Sequence, residues 1–188
     1  AYEILKLFRK AGYREARSFL ELSDGGHFEN NAFYELIRRR ANLIICCDGG
    51  ADPDFSFGDY QTGIDRIRTD FGVTIDITAD QLGGIVPRSE GRFPAGVKLA
   101  NRGYEIGTIS YPSANGVNGK GDTGTLIFLK TTMVKDLGIA TLKYRGKHPS
   151  FPDETTADQF FSAEQFEAYR ELGFRIGEAM IRDAGLEN

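Results

Sequence analysis

Tryptophan is absent, and cysteine, histidine and methionine occur only twice each among 188 residues. With 14 Phe and 8 Tyr, the aromatic part of any core must rest chiefly on Phe. Both cysteines sit together in Leu43-Ile44-Ile45-Cys46-Cys47. Neighbouring strand residues point to opposite faces, so these two do not bridge each other, and no third Cys offers a partner. Two thiols in an apolar run fit a reducing compartment. No stretch approaches the roughly 20 apolar residues of a membrane-spanning helix. The opening residues, Ala1-Tyr2-Glu3-Ile4-Leu5-Lys6-Leu7-Phe8-Arg9-Lys10, are too charged for the apolar region of a signal peptide. A basic surplus is also missing: 23 Lys and Arg stand against 27 Asp and Glu, a net charge of -4. That balance argues against non-specific nucleic-acid binding, so nucleic acid is not an expected partner. The one dense basic run, Arg38-Arg39-Arg40, reads as cations complementing a helix C-terminus.

What is present is an alternation of apolar runs and helical stripes. Residues 1–11 read as an amphipathic helix and residues 18–22 as a strand ending at Asp24. A helix is expected over 28–40, with Phe33, Leu36, Ile37 and Ala41 on its apolar stripe. Leu43 to Asp48 is nearly all apolar, the pattern of a strand covered on both faces. A loop over 49–54 leads to a helix over 57–71, then a strand over 73–78. Residues 79–103 read as a long loop with room for one strand. Strands over 103–111 and 125–130 pair antiparallel if 112–124 forms the turn between them. His148-Pro149-Ser150-Phe151-Pro152 is extended. A final helix spans 156–184, with Ser162-Ala163-Glu164-Gln165 as a capping box and Gly173 and Gly177 as points of bending. Phe166, Tyr169, Gly173, Ile176 and Met180 are expected on its inner face. Strand-helix-strand repetition over the first 78 residues implies an α/β chain with a mainly parallel sheet. The chain lacks an initial Met and starts within a helical pattern. Residues 1–188 are therefore expected to be a single domain or the C-terminal fragment of one.

The chemistry concentrates at Leu22-Ser23-Asp24-Gly25-Gly26-His27-Phe28-Glu29-Asn30. A carboxylate at a strand-to-helix junction lies on the sheet edge where α/β proteins keep reactive groups. Gly25 and Gly26 allow a tight turn, positive φ and close approach of another group. Asp48-Gly49-Gly50 repeats the arrangement, and parallel strands would bring both segments to one edge. Asp-Gly is also a common turn dipeptide, so a purely structural role competes with a catalytic one. His27, Asn30 and Asp48 are candidates for supporting Asp24, although His27 fits a local hydrogen bond best. Asp48, Asp52 and Asp54 with Asp24 could offer oxygens to a hard cation. Their spacing is not that of an EF-hand, and Asp52-Pro53 reads as a cap and turn, so neither metal nor cofactor is expected. Gly116 to Gly124 lacks the order of a phosphate-binding loop and reads as a hairpin turn. Phe151, Phe160, Phe161 and Phe166 could line an acyl pocket or touch a membrane surface, but core packing is the expected role. His148 reads as a loop residue.

These motifs resemble a known family. Leu22-Ser23-Asp24-Gly25-Gly26-His27-Phe28-Glu29-Asn30, Tyr34-Glu35-Leu36-Ile37-Arg38-Arg39-Arg40 and Leu43-Ile44-Ile45-Cys46-Cys47-Asp48-Gly49-Gly50-Ala51-Asp52-Pro53 are similar to the C-terminal part of bacterial patatin-like phospholipases. So are Ile67-Arg68-Thr69-Asp70-Phe71-Gly72-Val73, His148-Pro149-Ser150-Phe151-Pro152 and Thr156-Ala157-Asp158-Gln159-Phe160-Phe161. More distantly, the arrangement is similar to the catalytic domain of cytosolic phospholipases. The resemblance implies a three-layer patatin-like fold of which only the C-terminal portion is present. It also implies a Ser-Asp dyad that hydrolyses lipid acyl esters, with Asp24 as base. The implied location is cytoplasmic or peripheral to a membrane in a bacterium, with a membrane surface as a further partner.

The sequence departs from the family where the nucleophile belongs. None of its serines has Gly both two before and two after, so the Gly-x-Ser-x-Gly elbow is missing. The expectation is that the Ser and its oxyanion loop come from a missing N-terminal half, and that this chain alone is inactive. A non-catalytic binding or scaffold domain that retains the fold is the alternative.

Overall fold

The computed structural model describes residues 24–89, 97–113, 121–157 and 159–186. The helix expected over 1–11, the strand over 18–22 and residues 116–120 of the glycine-rich turn lie outside them. Asp24 caps a single 3-10 turn, Gly25–His27. The helix expected over 28–40 is much shorter, α1 being Tyr34–Arg38. Ala32 has φ 59°, a left-handed value that a right-handed helix cannot include. The buried carboxylate of Glu29 accepts the N–H groups of Asn31 at 2.6 Å and Tyr34 at 3.3 Å, closing off the segment from outside. Arg40, with φ 56°, follows the other end.

β1 (Leu43–Asp48) and α2 (Gly58–Phe71) come next, and α2 stops at Gly72, whose φ of 63° suits a residue without Cβ. β2 is Thr74–Asp76. The expected long loop holds α3 (Ala79–Leu82), started by a Thr78/Gln81 capping box, and a ribbon of β3 (Arg88–Ser89) and β4 (Lys98–Leu99). β5 (Tyr104–Ser110) and β6 (Thr123–Lys130) form the antiparallel pair expected from the sequence. α4 (Ile139–Lys147) has no counterpart in the sequence reading. α5 (Ala163–Asp183) begins seven residues later than expected, where the Ser162 hydroxyl accepts the Gln165 N–H at 3.1 Å. The Gln165 side chain binds Glu154 instead of returning to Ser162, so half of the expected capping box forms. Gly173 and Gly177 lie within an unbroken helix.

Among the described residues the main sheet has the order β1-β6-β5-β2. β1 pairs with β6 in parallel, while β5 runs antiparallel to both β6 and β2. The chain is therefore α/β with a mixed sheet, not the mainly parallel one expected. β5 and β6 are consecutive strands of the described residues and neighbours in the sheet, and they pair antiparallel. Their insertion also separates β1 from β2. Alternate residues of the sheet serve two cores. Ile44, Cys46, Leu126, Phe128 and Ile109 pack with Phe33 and Ile37 near α1 and with Tyr60 and Ile67 of α2. On the opposite face Ile127 and Tyr104 pack with Tyr144 of α4 and Leu172, Ile176 and Met180 of α5. Helices thus flank the sheet on both sides.

Two burial expectations are corrected. β1 is not covered on both faces: Ile44, Cys46 and Asp48 are buried, while Leu43, Ile45 and Cys47 are exposed. It is an edge strand of the described sheet, and the α4–α5 layer stops short of it. The inner face of α5 is Gln165, Ala168, Leu172, Ile176 and Met180, so Phe166 and Gly173 turn outward. Of the four aromatics expected in the core, only Phe151 is buried; Phe160, Phe161 and Phe166 are 92%, 56% and 61% exposed. Among the described residues no helix is long and apolar enough to cross a membrane.

The alternation of β1 gives a direct test. Ile44→Ala should destabilise by about 2–5 kcal/mol, the cost of a core cavity. Ile45→Ala, on the open face, should change stability by less than about 1 kcal/mol. Urea unfolding of both variants measures the difference, and equal losses would contradict one-sided burial.

Candidate functional site

The carboxyl ends of the parallel pair β1 and β6 carry one charge each. Asp48 and Lys130 are register partners, and both are buried. Lys130 Nζ lies 3.2 Å from Asp48 Oδ2 and donates to the Gly50 carbonyl at 2.6 Å. Asp48 Oδ1 accepts the Gly50 N–H at 2.9 Å. The ion pair therefore fixes the peptide groups of the loop that leaves the strand. A Cβ on Gly50 would come within 3.1 Å of Asp48 Oδ1, so close approach is what glycine provides here.

The loop then folds against the start of α2. Asp52 accepts the N–H and hydroxyl of Ser56, each at 2.9 Å, and the Phe57 N–H at 2.8 Å. Burial by itself would raise the Asp52 carboxyl. These three donors and the charge of Lys130 outweigh it and hold the group below its ordinary range. Asp48, Gly50, Asp52, Ser56, Asp59 and Lys130 enclose a cavity of about 120 Å³.

The Asp24 turn reaches this cluster through Asn30. Asn30 Nδ2 donates to Asp59 Oδ2 at 2.9 Å, and that oxygen is 3.7 Å from where a Gly50 Cβ would stand. A Cβ on Gly26 would lie 3.0 Å from Asn30 Oδ1. The two Asp-Gly-Gly segments are thus neighbours, joined by Asn30 and Asp59. Gly25 and Gly26 do not adopt positive φ as expected. Gly26 gives close approach to Asn30, and Gly25 opens onto empty space. Asp24 is exposed, and its Oδ1 accepts the Gly26 N–H at 3.0 Å. His27 Nδ1 lies 3.2 Å from the Asp24 carbonyl oxygen, the local contact anticipated for it.

The four acidic residues weighed as a cation site do not converge. Asp48 turns to Lys130, Asp52 caps the approach to α2, and Asp54 lines a different cavity. Lys130 and Asp59 are the members that the sequence reading missed. Lys130 had a signal, as a lone charge closing an apolar strand, but its pairing depends on strand register. Asp59 carried none beyond its place in the first turn of a helix. No family model matches this chain, and no curated protein or solved structure matches it either.

Removing one member of the buried pair should cost more than removing both. Lys130→Met should destabilise by about 3–5 kcal/mol, because Asp48 is left buried and uncompensated. Lys130→Met combined with Asp48→Leu should recover most of that loss. Equilibrium urea unfolding reads the cycle, and purely additive losses would rule out the coupling.

Proposed function

We propose that this chain is the Asp-bearing part of a patatin-like lipid acyl hydrolase. In this reading Asp24 is the general base, and a Ser hydroxyl comes from polypeptide outside these 188 residues. The observation that supports it best is the placement of Asp24. Asp24 is an exposed residue, and its Oδ1 accepts the Gly26 N–H at 3.0 Å. The adjoining cluster ends on the carboxyl edge of a parallel strand pair, the usual place for α/β sites.

The chemistry follows from elementary requirements. A serine hydroxyl is a weak nucleophile until its proton is accepted. The Asp24 carboxylate would take that proton as the Ser oxygen attacks the acyl carbonyl. It would return the proton to the departing alkoxide, leaving an acyl-enzyme. Water, deprotonated in turn by Asp24, would release the fatty acid. A general base must stand within hydrogen-bond reach of the proton it takes, so the Ser-bearing segment must dock against the Asp24 turn. The open face of Leu43, Ile45 and Cys47, beside a strand edge unpaired among the described residues, suits the packing of such a segment. Three exposed phenylalanines, Phe160, Phe161 and Phe166, accord with work at a membrane surface.

The alternative is a non-catalytic binding or scaffold module, and one contact favours it: the Gly26 N–H bond to Asp24 is also an ordinary cap. The two readings separate in one experiment. Co-expression with an upstream segment bearing Gly-x-Ser-x-Gly should yield esterase activity on a short-chain ester. Asp24→Asn should reduce that activity by at least about 10²-fold, the scale of general-base catalysis. Activity undiminished in Asp24→Asn would refute the assignment.

A further inference from the structure

The outer face of α5 carries a second apolar surface. Phe166, Gly173, Gly177 and Ile181 recur at helical spacing, with Phe174 beside them. Phe166, Gly173, Phe174 and Ile181 are exposed, and Gly177 is half-buried. The stripe is separate from the buried line of Ala168, Leu172 and Ile176. Glycine is a poor helix former, second only to proline. Beyond the adjoining helix, no described atom lies within 4 Å of a Cβ built at Gly173 or Gly177. The described packing of this chain therefore gives no reason for small residues there. They leave a notch one turn long in an exposed aromatic face, and a contiguous apolar surface of that kind marks an interaction site.

The surface is complementary to itself. In an antiparallel pairing of two α5 helices, the alignment that sets Phe166 against Ile181 of the second copy also sets Gly173 against its Phe174. The ring then fills the space that glycine leaves, and each contact occurs twice, as in any two-fold interface. Phe161 and Leu186, exposed just beyond the two ends of the helix, come level in the same alignment. The charges agree with it. Arg170 falls within one residue of Glu178 of the second copy, and Glu178 within one residue of Arg170. Inside one chain these groups have only exposed partners, Glu167 at 2.7 Å and Arg175 at 3.3 Å, which leaves them free to turn outward. A parallel pairing in register would instead set Arg170 on Arg170 and Glu178 on Glu178. We propose that the outer face of α5 binds a second copy of this chain in an antiparallel two-fold dimer. Two helices in contact over about 30 Å make a small interface, so the dimer forms in the micromolar range. The inference does not rest on the hydrolase reading. That reading offers Phe166 to a membrane; in water the second copy covers the same side chain.

Sedimentation equilibrium of the 188-residue chain across the micromolar range should show monomer and dimer in exchange. Arg170→Glu and Glu178→Arg each set like charges together at two points, and each should weaken the dimer by at least about tenfold. An equimolar mixture of the two variants should regain the original affinity, because opposite charges then meet at both points. Gly173→Leu should abolish the dimer by filling the notch. Its melting temperature should be no lower than that of the unaltered chain, since Leu is the better helix former and the space around it is open. A chain that stays monomeric throughout overturns the proposal, and binding of that monomer to phosphatidylcholine vesicles through Phe166 would give the face to a bilayer instead. A dimer that survives Gly173→Leu lies elsewhere and overturns it too; loss of that dimer in Ile45→Glu would place it on the open face of β1. A mixture no tighter than either variant alone overturns the antiparallel alignment.

Discussion

Asp48 and Lys130 stand on the same rung of the only parallel pairing in the described sheet, and both are out of water. Such a pair gains little net stability, since desolvation offsets most of its attraction. Its value is in specifying register. A one-residue slip of β1 would move Asp48 to the open face and leave the Lys130 ammonium buried without a counter-charge. The same slip would expose Ile44 and Cys46 and turn Leu43, Ile45 and Cys47 inward. Polar and apolar requirements therefore select the same alignment.

From that rung the order passes outward. Lys130 and Asp48 hold Gly50 by its carbonyl and its N–H, so the loop leaves the strand in a fixed direction. Asp52 then fastens the loop to the entry of α2 and, through its N–H, to Asp153, which lies 101 residues further along the chain. Asp59 meets Asn30, and Asn30 abuts Gly26, whose N–H donates to Asp24. One buried ion pair thus stands at the start of a chain of contacts that reaches the Asp24 turn on one side and the segment bearing Asp153 on the other.

Much of the fold could be read from local pattern. The apolar run of β1, the β5–β6 hairpin and α2 were legible because alternation, helical spacing and flanking glycines all lie within a few residues of one another. The features that were not legible depend on distant groups. The shortening of α1 follows from the Glu29 carboxylate and from Ala32 entering the left-handed region. Nothing in a helical stripe announces either. α4 was missed because its outward residues include Ile139, 86% exposed, while Thr141 and Tyr144 face inward. Ile176 and Met180 lie on the inner face of α5 as expected, but its first half runs one residue earlier, through Gln165, Ala168 and Leu172 instead of Phe166, Tyr169 and Gly173. Gln165 is drawn inward by its bond to Glu154, a tertiary contact. At the site, two aspartates expected at strand ends suggested a shared edge, and Asn30 was a candidate beside Asp24, but Asp59 and Lys130 become visible only with the packing of α2 and the register of β6.

The one-sided burial of β1 makes unlike neighbours of its two thiols. Cys46 is buried, and desolvation with the charges of Glu29 and Asp48 pushes its thiol up to about 12. Cys47, one residue along, is exposed. A thiolate reacts where a thiol does not, so an alkylating reagent should discriminate between adjacent positions of a single strand. Cys47 records the accessibility of the outer edge, and Cys46 records the moments when β1 parts from the core. The strand thus contains its own pair of reporters, one for the surface and one for local opening, without any introduced label.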